Sequence, residues 1–185
     1  MLRRALLTTL VVGGLFAASF GTAAAATVSP STWAPKFCTA VVQYQSTISQ
    51  QSDSLSTALT DVTDLKTGRD QIVAYLGAMQ DAATTAKQQL QKAGAPSSAN
   101  GTKIAKTFVA GLGASAKLFA NAKADAAKLS TTDASAFKTK GKQVGQALSD
   151  AGDQLSKRFS GIPKLDTGKK LETAVKAAPE CAPLL

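Results

Sequence analysis

Cys38 and Cys181 are the two cysteines of this sequence, and 143 positions separate them. That spacing excludes a C-x-x-C redox motif, and no cluster of further ligands accompanies either thiol to hold a metal. In an oxidising compartment an isolated pair reads as a disulfide joining the two ends of the chain. Histidine is absent, which removes the commonest general base, the Ser-His and Cys-His nucleophile pairs and the commonest transition-metal ligand. The only glutamates are Glu172 and Glu180, both near the C-terminus, and the aspartates occur singly. No carboxylate pair is placed for acid/base work, and no Gly-rich stretch ends in the G-K-[ST] of a phosphate-cradling loop. The expectation is a protein without catalytic residues, metal or cofactor.

The remaining chemistry is charge. The chain carries +9. From position 94 onward there are fourteen Lys or Arg against seven acids, whereas residues 27–93 balance five against five. Lys106, Lys117 and Lys128 recur every eleven residues, which returns to nearly the same helical azimuth, about 16 Å further along. They form an outward stripe opposite the apolar one and are the candidate contacts for a polyanion such as an anionic cell-envelope polymer. Nucleic acid is a poor candidate, because no aromatic side chains interleave for base stacking. Trp33, the single tryptophan, is expected to cover one end of the fold as a hydrophobic staple beside the disulfide. Asn100-Gly101-Thr102 matches a glycosylation sequon and also reads as turn chemistry.

Several elements must position these groups. Arg3 and Arg4, an uncharged run from Ala5 to Phe20 and the small residues through Ala26 match a cleavable signal peptide over residues 1–26. The segment 27–185 is then one exported domain with no transmembrane span. Within it, apolar residues step by four and three through Phe37, Val41, Tyr44 and Ile48, interrupted by a polar Gln51-Ser52 layer, then through Leu55, Leu59 and Val62. Helix one is expected to start near Ala34 with Pro35 in its first turn, and a turn is expected within Asp61 to Gly68. A second stripe runs from Ile72 to Leu90 and stops at Gly94 and Pro96; a third runs from Ile104 to Leu129. A fourth runs from Phe137 through Val144 and Leu155 to Phe159, and a short helix spans Thr167 to Ala178.

Short connections between amphipathic helices predict an all-α antiparallel up-down four-helix bundle with a short C-terminal helix, its termini clasped by the disulfide. Glycines at 111, 113, 141, 145 and 152 each lower helix propensity by about 1 kcal/mol relative to alanine. Close helix approach or a cavity for an apolar guest would account for them. The alanine-rich composition, with Phe37-Cys38 opening helix one and Pro179-Glu180-Cys181 closing the chain, resembles small secreted helical proteins of actinobacteria to which no activity is attached. That resemblance implies compartment and fold only. Two functional expectations arise: a non-enzymatic secreted or envelope-associated binding or structural protein contacting anionic surface polymers, and a carrier of an apolar small molecule or lipid between its helices.

Overall fold

In a computed structural model, residues 27–60, 62 and 64–185 are described. The expected signal peptide, residues 1–26, lies outside the described residues, as do the side chains at 151, 154, 155 and 158.

Helix α1 spans Pro30–Thr60 and so begins a turn earlier than Ala34. Ser29 and Pro30 make the better start. The Ser29 hydroxyl accepts the backbone N–H of Thr32 at 3.1 Å, and Pro30 occupies the first helical position, where its missing N–H is harmless. Pro35 therefore stands inside the helix. It deprives only the carbonyl of Ser31, an exposed residue that water can reach.

Helix α2, Leu65–Ala93, is separated from α1 within the expected interval. The breaker is Asp64 and not Gly68: the Asp64 carboxylate accepts both the Thr67 N–H, at 2.9 Å, and the Thr67 hydroxyl, at 2.7 Å. Gly68 is buried in the first turn of α2. Gly94 ends α2 with φ of 78°, the left-handed backbone that glycine adopts without steric penalty. Helices α3, Gly101–Ala126, and α4, Ala134–Phe159, follow. Asp133 caps α4 through the N–H of Ala136 at 3.0 Å. The last helix, α5, is confined to Lys170–Ala177 and is framed by 3-10 turns at Ile162–Lys164 and Pro179–Leu184. It starts later than Thr167, and the Asp166 carboxylate ahead of it accepts the N–H groups of Leu171 and Glu172 in its first turn.

One small sheet was not anticipated: β1, Thr27–Val28, pairs in parallel with β2, Ala95–Pro96. Residues 27–28 therefore run beside the link between α2 and α3. Gly101 sits so close to the Pro96 carbonyl that a Cβ at this position would overlap it. Close backbone approach, more than turn chemistry, is what requires glycine there.

The helices form a bundle in which α1 packs on α2, α2 on α3 most extensively, and α3 on α4. The N-terminal end of α1 is covered by α5 and the final 3-10 turn. Alanine supplies much of the buried surface, including Ala40, Ala83, Ala86, Ala93, Ala122 and Ala126, and small side chains allow helix axes to approach closely. Larger anchors are Leu76, Met79 and Ile104. The polar Gln51-Ser52 layer has a partner: the Ser52 and Tyr75 hydroxyls lie 3.3 Å apart. Among the described residues no helix is long and apolar enough to cross a membrane.

Candidate functional site: an apolar cleft at the disulfide end

Trp33 and Phe37 lie one helical turn apart on α1, so they share a face. Their rings stack at 4.6 Å, Phe37 meets Phe108 of α3 at 4.6 Å, and Phe108 meets Phe159 of α4 at 5.3 Å. Three of these rings, with Ile104, floor a cleft of about 670 Å³. Its opposite wall is the C-terminal segment, through Ile162, Leu171 and Val175. The volume falls within the range of about 300–1,000 Å³ typical of small-molecule sites, and an apolar lining with few polar groups is their usual chemistry.

Two long-range ties hold that wall against α1 and α3. Cys38 and Cys181 form a disulfide with Cα atoms 4.9 Å apart, linking the two ends as expected. Both sulfurs are fully buried with Ala34, Ala174 and Ala178. The second tie is Asn100, whose side-chain amide donates to the Leu165 carbonyl at 2.7 Å. The nitrogen that a glycan would use is thereby engaged inside the fold.

Trp33 is 2% exposed and sits within α1, its indole N–H donating to the Gly94 carbonyl at 3.1 Å. With Ser29 as cap, Val28 and Trp33 hold the two staple positions that flank the first turn, and they share one core cluster. The ring is the floor of the cleft and not a surface probe.

The rim is polar. Lys164, Lys169 and Lys176 stand on it with Asp166 and Glu172, and both acids are engaged. Asp166 accepts the N–H groups of Leu171 and Glu172 at 2.9 Å, capping α5. Glu172 accepts from Lys176 at 2.7 Å. This hydrogen bond, more than the Lys176 charge and the neighbouring Lys169 charge, holds its carboxyl below the ordinary value of 4.5. Lys169 has φ of 53° and is the one non-glycine residue with positive φ among those described. That backbone costs an L-residue about 1–2 kcal/mol.

Two other carboxylates are lowered in the same direction, Asp64 by the Thr67 backbone N–H and hydroxyl, and Asp70 by Lys66 and Arg69. A carboxylate lowered on folding stabilises the protein above its unfolded value, and the gain vanishes as pH falls through the folded value. Thermal melts should therefore be nearly flat from neutrality down to about pH 5 and decline below about pH 4, where free carboxylates protonate. A melting temperature unchanged down to pH 2 would show these contacts to be energetically silent.

Lys106, Lys117 and Lys128 are all exposed. Only the first two lie on α3, since the helix ends at Ala126. Lys128 falls in the following turn and pairs with Asp125 at 3.2 Å, so the stripe is a pair plus a neighbour off the helix. Lys106 also borders a hollow of about 770 Å³, but every residue lining it belongs to the single stretch 98–110, and no second element faces it.

Of the five helix glycines, Gly111 fits close helix approach and the others do not. At Gly111 a Cβ would run into the Phe159 ring, so this glycine admits α4 to the aromatic ladder. Gly113 makes ordinary contact with Lys87, and nothing lies within 4 Å of a Cβ built at 141, 145 or 152. None of the five lines the cleft. The four-residue spacing of Trp33 and Phe37 was the signal that could have marked the floor once α1 is started at Pro30, and the short last helix supplied Leu171 and Val175 to the wall. Among the described residues no group of three or more Cys, Asp or Glu is gathered to hold a metal ion. Comparison with protein-family models, curated proteins and solved structures finds no match to this chain.

Proposed function

We propose that this protein is a non-enzymatic exported carrier that holds an apolar small molecule or lipid in the cleft between α1, α3 and its C-terminal segment. One observation carries the reading: a cleft of about 670 Å³ floored by Trp33, Phe37 and Phe108. The reading takes α1 to α4 as an antiparallel up-and-down set, which their short connections support. It places the protein outside the cytosol, supported by the buried Cys38–Cys181 disulfide. Attachment to anionic envelope polymers is a second reading, favoured by the exposure of Lys106, Lys117 and Lys128. It ranks lower because Lys128 is already paired.

The carrier reading is tested with diphenylhexatriene, a neutral apolar fluorophore. Uptake should be saturable, and Val175→Trp, which projects bulk into the cleft, should weaken it at least about tenfold, or roughly 1.4 kcal/mol. Native mass spectrometry of protein from its own host should show a co-purifying apolar adduct. A protein that takes up no fluorophore and carries no adduct is not a carrier.

A further inference from the structure

Asn100 and Gly101 are each fixed by the fold for a separate reason. The Asn100 amide donates to the Leu165 carbonyl at 2.7 Å, tying the C-terminal wall to the start of α3. Gly101 admits the Pro96 carbonyl where any Cβ would overlap it. Together they form the dipeptide in which asparagine is chemically least durable, because glycine neither shields its nitrogen nor restricts the backbone. In an open chain the Gly101 nitrogen attacks Cγ of Asn100 and bonds to it. The Cγ–Nδ2 bond breaks, and Nδ2 leaves as ammonia with the proton that the Gly101 nitrogen gives up. Water then opens the five-membered imide at either carbonyl, giving aspartate or isoaspartate.

The folded state opposes this reaction at three points. The leaving nitrogen is engaged with Leu165. The attacking N–H of Gly101 donates to the Ser98 carbonyl at 3.0 Å. At Asn100 ψ of 17° turns the Gly101 nitrogen away from Cγ, whereas ring closure needs both on one side of the Cα–C bond. Among the described residues, the one side-chain hydrogen bond made by residues 98–101 is that to Leu165: the Ser98 hydroxyl has no partner, and Asn100 does not cap α3. The wall is therefore the long-range anchor of this turn.

We propose that Asn100 is a deamidation site controlled by the C-terminal wall, protected while the wall lies on α3 and converted once when it lifts. Conversion is one-way. A carboxylate cannot donate to the Leu165 carbonyl, and it turns instead to the first-turn N–H groups of α3, where the helix dipole favours a negative charge. The tie lost is the one that, with the disulfide, closes the cleft. The chemistry stands on the turn alone; only its consequence for a guest rests on the carrier reading.

The folded protein and the same chain in urea are incubated at mildly alkaline pH, and conversion is followed by peptide mass and by labelling with isoaspartyl methyltransferase. Asn121, exposed and followed by alanine, is the internal control. Asn100 should convert at least about tenfold more slowly in the folded protein, since reaction waits on local opening. Cys38→Ser with Cys181→Ser should speed conversion of the folded protein at least about tenfold and leave Asn121 unchanged. Leu171→Ala, which thins the wall and keeps the disulfide, should act in the same direction and serves if the first variant does not fold. In Asn100→Asp, amide hydrogen exchange of Lys170–Ala177 should be about fivefold faster than in the parent, the opening expected when one hydrogen bond is lost. Equal conversion of folded and unfolded chains, conversion indifferent to the folded wall variants, or parental exchange of α5 in Asn100→Asp would each overturn the proposal. None of these measurements reads uptake of diphenylhexatriene, so they hold or fail independently of the carrier reading.

Discussion

Replacing both cysteines, Cys38→Ser with Cys181→Ser, is expected to lower stability by about 3–5 kcal/mol. The bond closes a loop of 143 residues, for which the chain-entropy account gives about 5 kcal/mol and removal of native disulfides from small domains typically costs about 2–5 kcal/mol. In a domain of this size the corresponding fall in melting temperature is about 10 °C. Urea unfolding of the double variant against the parent measures it, and diphenylhexatriene uptake should fall in the same variant. The two effects share a cause. Cys181 lies in the 3-10 turn that follows α5, and α5 supplies Leu171 and Val175 to the cleft. Without the bond, that wall is held to the rest of the fold chiefly by Asn100, its side-chain packing and the short turns around it. A loss below about 1 kcal/mol would mean that the denatured chain already brings its ends together.

Trp33→Ala should be the most damaging single substitution, destabilising by about 3–5 kcal/mol. The indole joins Ala93, Ile104 and Leu171 in one buried cluster, with Val28, Phe37 and Phe108 against it. Its removal opens a void where α1, the α2–α3 link and α5 meet. It also strips the donor from the Gly94 carbonyl. Trp33→Phe separates the two contributions: it keeps most of the apolar contact and loses the hydrogen bond, whose net worth is about 1 kcal/mol. Urea unfolding of the three proteins gives the values. If alanine and phenylalanine behave alike, the carbonyl contact and not the packing dominates this corner.

Helix content was legible because it is written in local periodicity. The stripe from Ile72 to Leu90 runs to Ala93 and stops at Gly94, as glycine followed by proline implies. The stripe from Phe137 to Phe159 matches α4. Boundaries shifted where a capping side chain outweighed a breaker. Ser29 moved the start of α1 forward of Pro35, and Asp64, rather than Gly68, broke the chain between α1 and α2. A side-chain oxygen aimed at an orphan N–H is worth about 1 kcal/mol, as much as a helical glycine costs, so either signal can decide a helix end.

The candidate site was legible only at its edges. Trp33 read as the cover of one end, Phe37 as the first residue of an apolar stripe, and the two cysteines as a clasp. The cleft itself joins residues near positions 33, 104 and 171, which no sequence window contains. The lysine stripe shows the converse error: spacing put Lys128 in line with Lys106 and Lys117, whereas α3 ends two residues before it.

From the amino-acid order alone came the compartment expectation, the helical class and the joining of Cys38 to Cys181, since each rests on composition, period or elimination. Tertiary structure alone decided that the C-terminal segment would cover α1 and α3 so as to leave an aromatic-floored cleft. Periodicity specifies which face of a helix is buried; the depth left between faces depends on side chains arriving from distant parts of the chain.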